Sequence, residues 1–499
     1  MSDQRRAAMA MDPDTFRTIG HKLVDDLAHL LASIPTRPLT RDEPPATLRD
    51  GLGLTGSLPE QGTDAAALLA ETTRLLFEHS LFNAHPKFFG YITSSPAPIG
   101  MLADFLASAL NANVGSWTLS PAATELEVQT VRWLAQFIGY PSDAGGLLVS
   151  GGNMANIVGF LAARAAGAPW DVRVQGMAAG NGGRLLAYAS AETHTWIQKA
   201  ADITGLGTDA LRWIPTDAAQ RLDPGVLART LDADRAAGHV PFVVVGTAGS
   251  VSTGAVDPLR TIAAICRDRQ VWFHVDGAYG GFAAAVAGPE DDLRGLADAD
   301  SVAVDPHKWL YAPLEAGCVL VRRADALRHA FAYHPPYYHF DERLVNFVDL
   351  GPQNSRGFRA LKVWLALRQA GAAGYRAAIS EDIALARALA LAVGRHPDLE
   401  LATQSLSITT FRYVPPDLRP SAAEPAVARY LDDLNKCVLD AAQRSGELFV
   451  SNAVVDGRYL LRACIVNFHT SAADVEAVPD MVASLGARLD RERRLTLAG

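Results

Sequence analysis

The sequence predicts an α/β protein with a large domain, built on a mostly parallel seven-stranded β-sheet, and a smaller C-terminal α+β domain. From Leu147 onwards, short apolar segments alternate with helical segments, which is typical of a parallel sheet covered on both faces. After Gly357 this alternation is replaced by a long helical region and then by mixed strands and helices. The length of 499 residues is too great for one simple core, so we expect two or three domains.

The chain begins with a predicted amphipathic helix. Asp12 is a suitable N-cap and Pro13 a suitable first helical residue. Apolar residues then recur at three- and four-residue steps and form one stripe: Phe16, Ile19, Leu23, Leu27 and Leu30. A linker rich in proline and threonine follows from Pro35 to Pro45, so the stripe cannot be buried locally. We therefore expect this helix to pack on another subunit.

The next helices lead into the sheet. An apolar helix is predicted from Met101 to Leu110, and Ser120-Pro121 opens a helix over Ala122–Ile138 that carries Glu125 and Glu127 near its positive end. The predicted strands of the large domain are Gly146–Val149, Leu185–Ala189, Leu211–Ile214, Phe242–Val245, Val271–Val275, Val302–Val304 and Cys318–Val321. In such a sheet, ligands bind at the carboxyl ends of the strands.

The C-terminal part begins with a helical region from Phe358 to about Val393. It continues with the predicted strands Ser405–Tyr413 and Tyr459–Asn467 and the predicted helices Pro425–Ser445 and Ala472–Arg491. The expected division is an N-terminal helical segment over residues 1–97, a large domain over 98–375 and a small domain over 376–499.

Composition narrows the function classes. The net charge is −9, and no block of five or more lysine and arginine residues occurs, so nucleic acid is an unfavourable partner. Two long uncharged runs, Phe105–Thr124 and Ala144–Ala163, are interrupted by turn residues and indicate core rather than membrane spans. No apolar run follows the N-terminal arginines, so no secretory signal is expected. The four cysteines are scattered, which favours free thiols and a cytoplasmic location.

Lys308 is the main candidate for catalysis. The apolar strand Val302–Val304 delivers Asp305-Pro-His307-Lys308 to a sharp strand exit, where Pro306 ends the ladder because it lacks an N–H. A single lysine is most often a solvated surface residue. Apolar neighbours such as Trp309 favour the neutral amine, however, and a neutral amine can form a Schiff base.

A glycine-rich turn, Ser150-Gly-Gly152-Asn153-Met-Ala-Asn156, lies between the first strand and a helix predicted over Ile157–Ala166. Glycine allows backbone N–H groups to approach an anion, and the N-terminus of the helix adds partial positive charge. A plain tight turn is the alternative interpretation. The spacing differs from the dinucleotide and P-loop patterns, so a single phosphate ester suits this turn better.

Three further strand ends carry polar residues. Asp276 follows an apolar strand, and a carboxylate there needs a partner, which a pyridinium N–H would supply. Ala278 is small enough to let a ring lie flat, and His194, in Glu192-Thr-His194-Thr-Trp196, could stack on that ring or be an ordinary core histidine. Thr247 begins a segment of hydroxyl-bearing and small residues that a ring could approach.

Together these elements match the needs of pyridoxal 5′-phosphate: a phosphate turn, a ring-stacking histidine, an acid for the ring nitrogen and a Schiff-base lysine. The sequence predicts this cofactor, attached to Lys308. No metal constellation is visible.

Five motifs then resemble the group II pyridoxal-phosphate-dependent amino-acid decarboxylases, which include the aromatic-L-amino-acid decarboxylases. The motifs are His85-Pro-Lys-Phe-Phe-Gly-Tyr91, Ser120-Pro-Ala-Ala-Thr-Glu-Leu-Glu127, His274-Val-Asp-Gly-Ala-Tyr279, Asp305-Pro-His-Lys-Trp309 and Arg356-Gly-Phe-Arg-Ala-Leu-Lys362. The resemblance implies a fold-type I enzyme, similar to aspartate aminotransferase. It also implies an obligate homodimer whose N-terminal segment wraps the partner and whose active site lies at the interface.

The resemblance also implies roles for individual residues. Lys308 would hold the cofactor, Asp276 would pair with the pyridine nitrogen, and His194 would stack on the ring. The phosphate would be bound by Gly152, Asn153 and His307, and the cofactor would be lined by Thr247, Ala278 and Asp305. The substrate would lie near Ser94, and His194 would approach its carboxylate. Tyr91 and Trp117, together with Phe89, are further candidates for contact with an aromatic substrate, or they are ordinary core aromatics.

The segment from His334 to Arg343 resembles the mobile catalytic loop of this family. A tyrosine in that loop returns a proton to the substrate after carbon dioxide leaves, and here it would be Tyr337 or, alternatively, Tyr338. Relatives that form an aldehyde tend to carry phenylalanine at this position, so tyrosine favours plain decarboxylation. Gly115 stands where relatives with aromatic substrates often have a bulky side chain, which leaves the size of the pocket open.

The predicted activity is therefore decarboxylation of an L-amino acid, most consistent with an aromatic one, to the amine and carbon dioxide. Alternatives within the fold are an aldehyde synthase, a decarboxylase of acidic or diamino substrates, and an aminotransferase. An aminotransferase would need an arginine for the substrate carboxylate, and Arg462 is either that residue or ordinary structure. A non-catalytic protein that binds pyridoxal phosphate or a nucleotide is the alternative from a different class.

Overall fold

The computed structural model describes residues 7–180, 183–286, 291–336, 341 and 343–498. Their strands form a seven-stranded and a four-stranded sheet. The seven strands of the large sheet are β1 Gly145–Val149, β2 Leu185–Ser190, β3 Leu211–Ile214, β4 Val240–Thr247, β5 Trp272–Asp276, β6 Ser301–Val304 and β7 Gly317–Val321. All seven predicted strands are present, with ends shifted by no more than a few residues.

The large sheet has the order β1-β7-β6-β5-β4-β2-β3. Only β7 runs antiparallel to its neighbours β1 and β6, while β6, β5, β4, β2 and β3 pair in parallel. The prediction of a mostly parallel seven-stranded sheet is therefore confirmed. Strands such as β2, β5 and β6 are buried along their whole length, because helices cover both faces of the sheet.

The helices of the N-terminal and large regions follow the chain between and before these strands. They are α1 Pro13–Ser33, α2 Pro45–Gly51, α3 Ala65–His79, α4 Pro98–Leu110, α5 Pro121–Phe137, α6 Gly152–Gly167, α7 Val172–Gln175, α8 Trp196–Ile203, α9 Pro224–Ala236, α10 Leu259–Asp268, α11 Pro306–Trp309 and α12 Asp325–Phe331. None of the helices in the part of the chain that the structure describes combines the length and the apolar character needed to cross a lipid bilayer.

Helix α1 begins as predicted at Pro13. The Asp12 carboxylate accepts hydrogen bonds from the backbone N–H groups of Asp14 and Thr15, which caps the first turn. No residue of α1 is buried, although Phe16 stacks on Phe105 of α4 at 6.3 Å between ring centres. Phe16 is more than half exposed, and the other four residues of the stripe are only partly buried within one chain.

The C-terminal part contains helices α13 Ala360–Arg395, α14 Pro425–Ser445 and α15 Ala472–Ala498, and strands β8 Leu399–Ser405, β9 Ile408–Tyr413, β10 Ser451–Val455 and β11 Arg458–Cys464. The four strands form an antiparallel sheet of order β10-β11-β9-β8. Helix α13 contains one non-helical residue, Gly371, with φ +64°, close to the predicted domain boundary at residue 375. The described part of the chain thus includes the expected small α+β unit.

One strand prediction in this region was wrong in detail, and most of β8 and all of β10 were not predicted. The segment predicted as one strand, Ser405–Tyr413, is instead the end of β8, a tight turn and β9, because Leu406 adopts φ +46° and the chain reverses there. Strand β10 was missed. It is only five residues long and starts directly after the apolar run Leu448–Val450, which hides its alternation of buried and exposed residues.

Candidate active site

A cavity of about 450 Å³ lies at the carboxyl ends of β1, β2, β4, β5 and β6. These are the ends at which parallel α/β sheets bind ligands. The cavity brings together all nine residues predicted to hold the cofactor: Gly152, Asn153, His194, Thr247, Asp276, Ala278, Asp305, His307 and Lys308. These residues come from five separate strand ends, so the fold itself assembles the site.

Lys308 lies in α11, the single helical turn that follows β6 and begins at Pro306. Its Nζ lies 3.2 Å from Oδ2 of Asp305, whose side chain is almost completely buried. The other carboxylate oxygen of Asp305 has no hydrogen-bond partner among the described residues. Trp309 is fully buried and stacks on Tyr279, with 4.8 Å between ring centres. The lysine is therefore held on a rigid turn beside one acidic group.

His307 lies next to the same carboxylate, with Nε2 3.6 Å from Asp305 Oδ2. The backbone N–H of Ala316 donates to Nδ1 of His307, and burial lowers the pKa of this histidine. The neutral ring therefore carries its proton on Nε2, which faces the cavity side of the turn. Ser94 donates from its hydroxyl to the backbone carbonyl of His307 at 2.8 Å, so this predicted substrate residue contacts the lysine turn directly.

The glycine-rich segment differs from its prediction in one respect. Helix α6 begins at Gly152 rather than at Ile157, so Gly152 and Asn153 form the first helical turn. Gly151 has φ +130°, and a Cβ at Gly152 would lie 2.6 Å from Asp305 Oδ2 and 3.0 Å from the Ala278 Cβ. Glycine is thus required at Gly152, and the first N–H groups of α6, which lack partners within the helix, open into the cavity.

Asp276 ends β5 and is buried. Its Oδ2 accepts a hydrogen bond of 2.8 Å from Trp196 Nε1, and its Oδ1 accepts one of 3.2 Å from the backbone N–H of Ala278. Within the described ranges no cationic side chain forms an ion pair with this carboxylate. The contact between Trp196 and Asp276 is not predicted from the sequence. The feature that could have indicated it is a large aromatic residue two positions after the candidate ring-stacking histidine.

His194 follows β2 and lines the cavity. Burial lowers the pKa of its imidazole, and the nearby Asp276 opposes this effect only partly. The backbone N–H of Trp196 donates to Nδ1 of His194 at 3.2 Å, so the proton of the neutral ring is on Nε2. A neutral planar imidazole can lie against an aromatic cation without electrostatic repulsion.

These residues fit pyridoxal 5′-phosphate. The N-terminus of α6 can bind one phosphate, and the buried hydroxyl of Thr247 has no hydrogen-bond partner among the described residues. Asp276 offers an unneutralised carboxylate to a pyridinium N–H, and Lys308 offers a primary amine on the same cavity wall. A dinucleotide or a nucleoside triphosphate would need a larger phosphate cradle than this single helix turn.

The predicted substrate residues Tyr91 and Trp117 lie outside this cavity. Tyr91 is 62% exposed and contacts Phe449, and Trp117 donates from Nε1 to Glu125, so neither lines the cavity within one chain. Their roles stay predictions. Tyr337 and its alternative Tyr338 lie outside the described residues.

Gly115 and Arg462 have local explanations. A Cβ at Gly115 would lie 2.4 Å from the backbone oxygen of Asn354, so packing within the chain excludes a side chain there. Arg462 is buried in β11 and donates from Nη1 to Ser451 at 2.8 Å. It does not line the cavity that contains Lys308.

Comparison with known proteins agrees with this site. The model of the pyridoxal-dependent decarboxylase conserved domain matches residues 45–414. The chain is 32% identical to an aromatic-L-amino-acid decarboxylase of Bacillus atrophaeus over 472 residues, 94% of either chain. It is 29% identical to a phenylacetaldehyde synthase of a Rosa hybrid cultivar over 469 residues, 91% of either chain. A crystal structure of Oryza sativa TDC with PLP and tryptamine superposes with a TM-score of 0.88 at 28% identity, covering 97% of this chain and 100% of that one. This chain therefore belongs to the pyridoxal-dependent decarboxylase family and is a pyridoxal-phosphate-dependent amino-acid decarboxylase of fold type I.

Proposed function

We propose that this enzyme decarboxylates an aromatic L-amino acid to the corresponding amine and carbon dioxide. The observation that carries the proposal is the convergence of Lys308, Asp276 and His194 on one cavity. The aromatic substrate class is supported by similarity to the Bacillus atrophaeus enzyme, which is named for it.

Each cavity residue has a proposed role toward the cofactor. Lys308 would hold it through the ε-amine, and Asp276 would pair with the pyridine nitrogen. The phosphate would be bound by the N-terminus of α6 at Gly152 and Asn153 and by His307, whose Nε2 carries a proton in the neutral ring. His194 would cover one ring face, while Thr247, Ala278 and Asp305 would line the remainder.

When bound, pyridoxal phosphate supplies an electron-accepting pyridinium ring for the electron pair released as the Cα–carboxylate bond breaks. The side chains make that step favourable in different ways. Asp276 would pair with the ring nitrogen and keep it protonated, because a buried carboxylate strongly favours a cationic partner. His194 would cover one ring face, and the apolar side chains of Ile92 and Leu314 line the same cavity.

After carbon dioxide leaves, Cα needs a proton. Tyr337 is proposed to donate it from its hydroxyl, with Tyr338 as the alternative, while His194 helps to position the substrate. Substrate contacts are proposed for Ser94, which is bonded to the lysine turn, and for Tyr91 and Trp117.

We further propose that the enzyme is a homodimer with its active site at the interface. The incomplete burial of the α1 stripe supports this, as does the exposed apolar face of α4, where Leu102, Phe105, Leu106 and Leu110 are each more than half exposed. A second subunit would cover these surfaces and could bring Tyr91 or Trp117 to the cavity of its neighbour. The four free cysteines, three of them buried, fit a reducing cytoplasm.

A second candidate is aldehyde synthesis, in which decarboxylation is followed by oxidative loss of the amine. The similarity to the Rosa enzyme favours considering it. The tyrosine at position 337 is the feature that separates the two, since it would protonate Cα before oxygen could react.

The test is an assay of cofactor-loaded enzyme against the twenty amino acids and L-DOPA. Carbon dioxide, amine, aldehyde and peroxide are measured in parallel. Equal amounts of amine and carbon dioxide from an aromatic substrate, without peroxide, are expected. Aldehyde with peroxide would assign the second candidate, and turnover of acidic or diamino substrates alone would refute the aromatic class. A Tyr337→Phe variant is expected to lose amine formation and gain aldehyde, while Tyr338→Phe should still form the amine. The opposite result would identify Tyr338 as the proton donor.

A further inference from the structure

Trp196 contacts both groups that the proposed function assigns to the cofactor ring. Its side-chain Nε1 donates to Asp276 Oδ2 at 2.8 Å, and its backbone N–H donates to His194 Nδ1 at 3.2 Å. One residue therefore orients the acid for the ring nitrogen and also sets the tautomer of the histidine on the ring face.

The indole of Trp196 is itself held rigidly. The side chain is fully buried at the start of α8. Phe160 meets it edge-on with 6.2 Å between ring centres, and His274 does so at 5.7 Å. Because these contacts fix the direction of Nε1, the donor can fix the plane of the carboxylate that accepts from it.

Both hydrogen-bond donors to Asp276 are neutral groups. A hydrogen bond to an anion stabilises the anion, and the indole N–H is neutral, so it does not supply a counter-charge. Ala278 N–H binds the other oxygen and is neutral as well. Among the described residues, Asp276 thus has two neutral donors and no ion pair, which leaves its charge to be balanced by a pyridinium.

We infer that Trp196 is a positioning residue, because its indole N–H holds the Asp276 carboxylate in the plane that pairs with the ring nitrogen of the cofactor. The inference rests on the proposed pairing of Asp276 with that nitrogen. Trp196 therefore affects the affinity for the cofactor only through its hydrogen bond to Asp276.

The test is a double-mutant cycle with Trp196→Phe, Asp276→Asn and both changes together. Apoenzyme is titrated with pyridoxal phosphate, and the dissociation constant is read from the visible absorbance and from protein fluorescence. Thermal unfolding of each apoenzyme measures folding separately. Trp272→Phe is the matched control, since Trp272 is also buried but donates from Nε1 to Ser301 at 2.8 Å.

We expect Trp196→Phe to weaken cofactor binding about tenfold, since the lost hydrogen bond has a charged acceptor. Asp276→Asn should weaken binding further, and adding Trp196→Phe to it should change the constant by less than about twofold. Trp272→Phe should leave the constant within about twofold of the unmodified enzyme.

Three results would overturn the inference: an unchanged constant for Trp196→Phe, an effect of equal size in the Asp276→Asn background, or an equal effect from Trp272→Phe. An unchanged constant for Asp276→Asn would instead refute the pairing on which the inference rests. If Trp196→Phe does not fold, the dissociation constant is measured for Trp196→His instead, because the imidazole ring retains an N–H that can donate to Asp276. A constant within about threefold of the unmodified enzyme is then expected, and one as weak as that of Asp276→Asn would contradict the role.

Discussion

Glu127 and Arg356, separated by 229 positions in the chain, form an ion pair in which both side chains are almost completely buried. Arg356 also donates to the backbone oxygens of Val114 and Leu148, and Glu127 accepts from the backbone N–H of Leu148. The sequence suggested only that Glu127 lies near the positive end of a helix. In the structure it fastens β1, which leads to the phosphate turn, to the segment before α13.

Breaking this pair should destabilise the whole protein. We expect Glu127→Gln to lower the free energy of unfolding by about 3–5 kcal/mol, because Arg356 would remain as an unpaired buried charge. The midpoint of urea unfolding measures this. The double variant Glu127→Leu/Arg356→Met is the control and should be less destabilised than the sum of the single changes. Equal stability of Glu127→Gln and the unmodified protein would contradict this account.

Lys308→Ala should abolish covalent attachment of the cofactor. The unmodified enzyme loaded with pyridoxal phosphate is expected to absorb at about 420 nm, and the variant should lose that band because no amine remains on this wall of the cavity. Lys199→Ala is the matched control, since Lys199 is an exposed lysine of α8. A band that survives dialysis of the Lys308→Ala protein would assign the attachment to another lysine.

Gly152→Ala should weaken binding of the phosphate group. The added Cβ would lie 2.6 Å from Asp305 Oδ2 and 3.0 Å from the Ala278 Cβ, so either the first turn of α6 or the Asp305 carboxylate must move. We expect the dissociation constant of pyridoxal phosphate to rise about tenfold or more. Gly394→Ala is the control, because a Cβ there meets nothing within 4 Å. Equal affinities for Gly152→Ala and Gly394→Ala would show that the phosphate lies elsewhere.

Asp382 links the lysine turn to α13 and should make stability depend on pH. Its Oδ2 accepts from Trp309 Nε1 at 2.7 Å and from the Tyr311 hydroxyl at 2.6 Å, and burial raises the pKa of this carboxyl to about 7. The folded protein thus keeps a proton that the unfolded chain releases near the ordinary pKa of 3.8. Stability contributed by this group is therefore present below about pH 4 and is lost as the pH rises toward about 7.

The check compares urea unfolding at about pH 5 and about pH 8. In Asp382→Asn the free energy of unfolding should depend less steeply on pH. The slope should fall by at most about 1.4 kcal/mol per pH unit between these values. Part of the slope should remain, because burial also raises the pKa of Asp257 to about 7. Substitution of the exposed Asp209, which forms no ion pair among the described residues, should leave the slope unchanged. An unaltered slope in Asp382→Asn would mean that this carboxyl is already ionised in the folded protein at pH 5.

Most of the large sheet could be predicted from the sequence because its strands are short apolar runs bounded by turn residues. The strand Leu211–Ile214 has the predicted bounds, and Lys308 lies at the predicted strand exit. The N-cap at Asp12 was predictable for the same reason, since it depends on neighbouring residues alone. By contrast, the start of α6 at Gly152 could not be read, because glycine and asparagine are poor helix formers and the helix begins there through packing against Asp305 and Ala278.

The sequence by itself determined the order of the strands along the chain, the lysine at a strand exit and the type of residue at each of the other strand ends. These features depend on local periodicity and on residue chemistry. Only the tertiary structure decided that Trp196 bonds Asp276, that Glu127 pairs with Arg356 and that Asp382 receives Trp309. The partners in these contacts are separated by 80, 229 and 73 positions, so no local pattern marks them. They form because a buried polar group needs a hydrogen-bond or ion-pair partner, and the folded chain places such a partner next to it.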